Sequence, residues 1–329
     1  MTTPGSPQTA LDDLRLMLTI RRFEEKVLSI SDHIAGHYHV CTGMESTALA
    51  LRHELQSPDK VITNYRSHGH LIAAGSPLNV LFAEILGKDL GPQRGRAGSF
   101  HLEDPDHGVL HTSAMVSGGV PIATGVALAL KRQGDGVCIC FFGDGAVNEG
   151  GVHESFNWAA LWQLPVIYVC ENNGVAGFGK ANPFQASESI AAIAETNTIR
   201  TEIADGRHPY DVVEKFRILT KEARNSGGPT FLEARFAPWP GNQTFLPKDV
   251  TGPTDLFGEI RESPHREWYE EGDPVLALVR QMIGDGWRRD QIEEVDGAVK
   301  SEVESAAAGA LAAPSAPPAT AMDHVYGET

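Results

Sequence analysis

The chain's 329 residues are 41% apolar, 21% charged and 7% aromatic, enough for a full-size core in one large domain or two ordinary ones. Acidic residues outnumber basic ones by 43 to 27, a formal charge of -16, which disfavours a broad basic face for nucleic acid or for an anionic membrane. No stretch of about 18 apolar residues offers a membrane-spanning helix, and Cys41, Cys138, Cys140 and Cys170 form neither a CxxC pair nor a zinc-ligand spacing.

A reduced, cytoplasmic protein is therefore expected. The opening MTTPGSPQTALDD shows no basic n-region or apolar h-region of a secretory leader.

Residues 1–10 are small, polar and Pro-containing, and read as a flexible arm. Leu16, Ile20, Phe23, Val27 and Ile30 then recur at alternating spacings of four and three, which predicts an amphipathic helix with Asp12 and Asp13 in its first turn. A second helix is expected from Met44 to just before the turn Ser57-Pro58-Asp59. Lys60–Thr63 reads as a short strand running into the polar stretch Asn64-Tyr65-Arg66-Ser67-His68-Gly69-His70. Residues 87–119 are Gly-rich without a period and read as loops close to a ligand, and Pro121–Leu130 as a helix.

Val137–Phe142 is a continuous apolar run, as expected of a strand covered on both faces, with Cys138 and Cys140 on one side. Gly143-Asp144-Gly145 ends it, a helix is expected over His153–Trp162, and Pro165–Cys170 reads as a second buried strand ending in Glu171-Asn172-Asn173-Gly174. Strand, helix and strand at this spacing form a parallel βαβ unit, and ligands of such sheets sit at the carboxyl ends of the strands. Further on, Thr198–Thr201 suggests a short strand, Tyr210–Asn225 a helix carrying Val213, Phe216 and Leu219, and Pro229–Ala234 a third buried strand. A stiff loop, Pro238–Asn242, follows it. Two helices are expected at Pro274–Asp285 and Arg289–Ala308, and an Ala/Pro-rich tail from residue 305.

Asp144 and Asn173 lie at the ends of neighbouring strands in this scheme. An anionic and a neutral oxygen there suit Mg²⁺ or Ca²⁺ with room left for phosphate oxygens. Gly143 and Gly145 allow close backbone approach, and a following helix N-terminus would offer N–H groups to a phosphate. The site reads as a divalent metal clamped on a diphosphate.

With these residues in view, the chain resembles the alpha subunit of the thiamine-diphosphate-dependent dehydrogenase (decarboxylating) component of 2-oxo acid dehydrogenase complexes, of the pyruvate, branched-chain and acetoin type. The matching stretches are HYHVCTGMES, KVITNYRSHGHLIAAG, GRAGSFHLEDP, MVSGGVPIATGVALA, GDGAVNEGGVHESFNWAALWQLPVIYVCENNGVAGFG and GDPVLALVRQMI, in the family's order across roughly residues 11–300. The resemblance implies an α/β thiamine-diphosphate-binding fold, a mostly parallel sheet with helices on both faces. The domain would span residues 11–304, with a tail at 305–329.

It further implies that Asp144, Asn173 and the carbonyl of Val175 hold Mg²⁺ on the diphosphate of thiamine diphosphate. Gly145 and Ala146 would add backbone contacts, and Tyr65 and Arg66 would bind the phosphate end. Ala114 and Val116 would meet the aminopyrimidine through backbone atoms. His39 would face the carboxylate or carbonyl of a small 2-oxo acid, and His68 would lie over the thiazolium. His101 would brace a loop or touch ligand, while Glu45 and Glu154 would anchor helices. A beta subunit would supply the activating glutamate in an α₂β₂ assembly, and a lipoyl acyltransferase would accept the acyl group.

The chain departs from the family in one loop. Where a run of the form YRYHGHS is usual, it reads Arg235-Phe236-Ala237-Pro238-Trp239-Pro240-Gly241-Asn242-Gln243, which puts Pro240 and Asn242 at the two histidine positions. Neither side chain shuttles protons. This favours an alternative, a diverged carboligase or acyl/ketol transferase subunit with a non-lipoyl acceptor. A non-catalytic scaffold subunit is the third reading, and the intact Asp144, Asn173, Tyr65 and Arg66 argue against it.

Overall fold

A computed structural model of the chain describes residues 6–34, 36–177, 179–180, 185–187, 189–226, 228–241, 253–258 and 265–323. Helix α1 (Pro7–Ser29) begins where Ser6 Oγ accepts the Thr9 amide at 3.2 Å and Pro7 occupies a first-turn position that needs no N–H. It therefore starts inside the expected arm, and Asp12 and Asp13 lie beyond its first turn. Then come α2 (Glu45–Glu54), β1 (Lys60–Asn64), α3 (His68–Ala74), α4 (Leu78–Ile85), β2 (Val109–Ser113) and α5 (Gly119–Gln133). β3 (Cys138–Gly143), α6 (Gly150–Leu161), β4 (Val166–Asn172), the two-residue strands β5 (Val175–Ala176) and β6 (Gly179–Lys180), and α7 (Ile190–Glu195) form the middle. β7 (Arg200–Asp205), α8 (Pro209–Ser226), β8 (Thr230–Arg235), α9 (Pro274–Gly284) and α10 (Arg289–Ala312) complete it.

Six strands form one sheet in the order β2-β1-β3-β4-β8-β7, with every pairing parallel, while β5 and β6 make a separate antiparallel pair. The three apolar runs legible in the sequence are the adjacent strands β3, β4 and β8 at its centre. Their residues alternate between two cores. Ile139, Phe141, Ile167, Val169 and Leu232 face α1, α2 and α8, whereas Cys138, Cys140, Phe142, Tyr168, Cys170 and Phe231 face α5, α6 and α7. Helices thus cover both faces, as the continuous apolar runs require. Each large side chain buried this way contributes roughly 1.5–3 kcal/mol.

The structure differs from the sequence reading in several places. β2 lies within the Gly-rich stretch read wholly as loop, and α3 turns the YRSHGH motif into a helix start. Gly143-Asp144-Gly145 opens a short 3₁₀ helix, Asp144–Asn148, and α6 begins at Gly150, three residues before the expected His153. β7 starts at Arg200 and runs longer than expected. The tail starts later, because α10 extends to Ala312 and buries Ala307 and Ala310 completely. Alanine is the best helix former, and its small side chain lets α10 lie close against α1 and α4. Beyond the helix, the Asp89 amide donates to the Pro314 carbonyl at 3.0 Å, Ser315 bridges Lys88, and Arg96 reaches the Thr320 carbonyl.

α1 carries charges into the core. Arg21, fully buried, donates to both oxygens of Asp273 (2.7 and 2.9 Å) and to Glu45 Oε1 at 2.8 Å, while Asp273 caps α9 by accepting the Val275 and Leu276 amides. Burial lowers the Arg21 pKa, but the two carboxylates outweigh it and hold the pKa well above its ordinary value. Replacing Arg21 by Met would leave two buried carboxylates without their cation. The Arg21→Met chain is expected to lose about 3–5 kcal/mol in urea unfolding, against less than about 1 kcal/mol for Arg15→Ala at the exposed Arg15–Glu302 pair.

Candidate active site

The carboxyl ends of β2, β1, β3 and β4, four adjacent strands, open into one cavity of about 350 Å³. β1 delivers Asn64, Tyr65 and Arg66. The turn after β2 delivers Met115, Val116 and Ser117. β3 delivers Phe142 to Ala146, and β4 delivers Glu171, Asn173 and Val175 to Gly177, with His39 and Met44 closing a side. His39, Tyr65, Arg66, Val116, Gly143, Asp144, Gly145, Ala146, Asn173 and Val175, all singled out in the sequence, line this one space. Ala114 sits half-buried in the turn behind Met115.

Parallel pairing explains the convergence of the two polar tips. Gly143 and Glu171 are register partners, so Asp144 and Asn173 emerge one and two residues past the last pair of neighbouring strands. Asp144 is 2% exposed, and its Oδ2 has no hydrogen-bond partner. Burial pushes its carboxyl up to about 6, although the N–H groups of Gly145 and Gly174 draw it back, and Glu233 adds to the rise. Asn173 Oδ1 accepts the Val175 amide at 3.1 Å, which fixes the turn that carries Val175 over the site. Asn172, one residue earlier, faces elsewhere: it donates to Glu233 Oε1 at 2.9 Å.

Glycine relieves crowding at 145, where an added Cβ would stand 3.0 Å from the Cβ of Ala176. At 143 nothing lies within 4 Å of such a Cβ, so no crowding from the chain itself demands glycine there. The turn after β2 is tight. Ser117 takes a left-handed φ of +67°, and the Gly118 amide donates to the Met115 carbonyl at 3.0 Å. A non-glycine residue in that region carries strain of order 1–2 kcal/mol, the kind held at sites that need a fixed backbone.

Polar residues that the sequence reading passed over hold the walls. Asn64 accepts the Arg66 amide at 2.8 Å and donates to Glu171 Oε2 at 3.3 Å. Glu171 also accepts from Thr47 Oγ1 at 2.6 Å and pairs with His70 Nε2 at 3.1 Å. Burial would raise the Glu171 carboxyl, yet His70, Thr47 and Asn64 together hold it below its usual range. The signal for both was position: Glu171 directly precedes the Asn pair, and Asn64 directly precedes Tyr65-Arg66.

Arg66 donates to the Val40 carbonyl at 2.7 Å, and its guanidinium lies 5.9 Å from the Tyr65 ring centre. His39 packs between Tyr65 (5.1 Å) and Phe100 (5.1 Å), and its Nδ1 is buried without a hydrogen bond. Burial, then Arg66, His37 and His68, lower the His39 pKa to about 4.

His68 lies elsewhere than the resemblance placed it. It is fully buried, lines no part of the cavity, and engages Glu24 and Ser99 through its two ring nitrogens. The His101 side chain is exposed, and its carbonyl braces the loop by accepting from Gln93 at 2.6 Å. Glu45 anchors α2 by accepting the Gly43 amide, whereas Glu154 is exposed on α6.

The divergent loop turns inward. Arg235 Nε donates to Glu233, the Phe236 ring packs where a side chain on Gly206 would stand, and Trp239 is buried against Gly43 beside Trp268. Pro240 is half-buried, and Asn242 lies outside the described residues.

A family described as the dehydrogenase E1 component matches over residues 15–237. The acetoin:2,6-dichlorophenolindophenol oxidoreductase alpha subunit of Bacillus subtilis is 40% identical over 223 residues, 66% of each chain, so this match spans slightly under two thirds of that relative's length. The subunit of the same name from Cupriavidus necator is 33% identical over 98% of this chain and 96% of its own. The pyruvate dehydrogenase E1 component alpha subunit of Zymomonas mobilis is 32% identical over 92% of this chain and 84% of its own. No helix among the described residues is long and apolar enough to cross a membrane.

The His39 shift fixes a sign for pH dependence. Its folded pKa lies below the ordinary 6.5, so the unfolded chain takes up the proton first as pH falls. The stability tied to neutral His39 is complete above pH 6.5 and is lost between there and about 4. Proton NMR of the His39 ring is expected to titrate near 4, and His39→Asn to flatten the stability slope in that window.

Proposed function

The chain belongs to the dehydrogenase E1 component family, and on that premise we propose that it is the alpha subunit of a thiamine-diphosphate-dependent enzyme that decarboxylates a small 2-oxo acid and passes the acyl group to a lipoyl acceptor. The observation that carries this reading is the buried Asp144 carboxylate with an unpartnered oxygen, set beside Asn173 in a cavity that also takes Tyr65 and Arg66. A buried anion without a partner is costly, and a divalent cation removes the cost. The residues present therefore fit a magnesium diphosphate.

In this reading Asp144, the Asn173 side chain and the Val175 carbonyl hold Mg²⁺. Arg66 and Tyr65 bind the phosphate end, with backbone contacts from Gly145 and Ala146, and Gly143 leaves open space for the ligand. The strained turn presents the backbone of Ala114 and Val116 to the aminopyrimidine. When bound, thiamine diphosphate supplies a nucleophilic carbon and an electron sink for loss of carbon dioxide. His39, neutral at pH 7, offers the 2-oxo acid a hydrogen bond.

Among the described residues, no carboxylate of the cavity is free to act on the aminopyrimidine: Asp144 is assigned to the metal, and Glu171 is locked by Thr47, Asn64 and His70. A beta subunit supplies that glutamate in an α₂β₂ heterotetramer, and a lipoyl acyltransferase is the acceptor's carrier. A cytoplasmic setting accords with four free, buried cysteines.

One observation favours a second reading. The 235–241 loop is packed inward by Phe236 and Trp239 and carries no histidine, so the acceptor step lacks a proton carrier there. A carboligase or ketol transferase subunit with a non-lipoyl acceptor meets that condition. Lipoamide-dependent dye reduction, compared with carbon–carbon ligation to aldehydes, separates the two.

The chain purified alone is expected to show no decarboxylase turnover, and the assembly with its beta-type partner to bind thiamine diphosphate with Mg²⁺ in calorimetry. Asp144→Ala is expected to weaken that binding by roughly 100-fold or more, since losing an outer partner of a ligand already costs 10–100-fold. Its far-UV spectrum and melting should match the unaltered assembly. Global unfolding of the variant would make Asp144 structural, and absence of cofactor binding by the unaltered assembly would leave only the scaffold reading.

A further inference from the structure

Glu24 on α1 is completely buried, and its carboxylate holds two separate segments. Oε1 accepts the Cys41 amide at 2.8 Å, two residues beyond His39. Oε2 bonds His68 Nδ1 at 2.8 Å, and His68 Nε2 bonds Ser99 Oγ at 2.9 Å, one residue before Phe100. A carboxylate only accepts, so Nδ1 donates to Glu24, and Nε2 is left to bond the Ser99 hydroxyl. Phe23 holds the imidazole edge-on at 5.6 Å.

The two tethered segments meet at the cavity. The Phe100 ring is stacked on His39 at 5.1 Å with 21° between planes, and it flanks Tyr65 at 5.5 Å. The loop before Ser99 is fixed by a second buried carboxylate, Glu84, which accepts the amides of Gln93, Gly95 and Ala97 at 2.9, 3.0 and 2.7 Å. Ser99 is therefore the last anchored residue before Phe100.

We propose that Glu24, His68 and Ser99 form a positioning relay that sets the angle and depth at which Phe100 holds His39 against the substrate side of the cavity. His68 is then a positioning residue that acts through Ser99, without touching cofactor or substrate. Phe100 and His39 move together because one carboxylate ties the chain behind each of them. The inference rests on the substrate-facing role proposed for His39, but its geometry does not depend on any ligand.

The test uses the assembly with the beta-type partner and four variants: Ser99→Ala, Ser99→Thr, His68→Gln and the Ser99→Ala/His68→Gln double. Ser99→Ala is expected to raise the KM for the 2-oxo acid by about ten-fold with kcat within about two-fold, the mark of a misplaced binding group. The His39 ring signal is expected to shift in NMR, and amide exchange of residues 97–101 to quicken. Ser99→Thr, which keeps the hydroxyl, restores all three. His68→Gln reproduces the Ser99→Ala pattern, and the double variant is no worse than either single one, because both break one chain of contacts.

Ser99→Ala that lowers only the melting temperature, with KM and the His39 signal unchanged, would reduce the relay to core packing. Loss of kcat in His68→Gln with Ser99→Ala silent would return His68 to the reacting atoms. If the unaltered assembly bound no thiamine diphosphate, the proposed reaction would fail, and the His39 signal and amide exchange would still decide the relay.

Discussion

A carboxylate taken out of water has to be met by donors or cations, and the fold of this chain is organised around that requirement. Glu45 and Asp273 meet Arg21, and Asp59 meets Arg224 and the Val137 amide. Glu84 gathers three loop amides, and Glu171 gathers Thr47, Asn64 and His70. Each of these joins segments that the sheet alone would leave separate. Among the described residues, one buried carboxylate oxygen lacks a hydrogen bond, Oδ2 of Asp144, and it stands in the cavity at the strand ends. The exception marks the site because the other buried carboxylates named here obey the rule.

The centre of the sheet was legible because burial on both faces forces uninterrupted apolar runs, and β3, β4 and β8 have them. The polar tips were legible for a related reason, since Asp144 and Asn173 interrupt such runs abruptly. β2 was not, because Val-Leu-His-Thr-Ser at the sheet edge has neither a continuous run nor strict alternation. The buried charges of α1 were not legible, for a different reason. Arg21, Arg22 and Glu24 look like a solvated stripe, yet each is buried against a partner far along the chain or on a neighbouring helix. Pairing of that kind depends on the assembled fold and leaves no local trace. His68 shows the same limit: its motif was recognisable, while its burial beneath Ser99 and Glu24 required three segments to be placed at once.

The loop after β8 shows how a site can diverge without disturbing the sheet. Phe236 continues the apolar pattern of the strand into the space over Gly206, and Trp239 closes on Gly43. These aromatic contacts bind the loop to the body of the protein through packing. Proton-carrying groups are absent from its described part, while Asp144 and Asn173 stand together in the cavity at the ends of β3 and β4. In the proposed function, phosphate binding and acceptor chemistry belong to different strand ends and can change independently.

The strap formed by residues 313–320 has a consequence for biosynthesis. Its carbonyls receive Asp89 and Arg96, groups 225 and 224 positions earlier in the chain. While a ribosome is still making the second half of the polypeptide, the loop leading to Ser99 has no strap across its outer side. That flank is secured only after the last helix has emerged, so the rim beside His39 is among the latest parts of the molecule to mature.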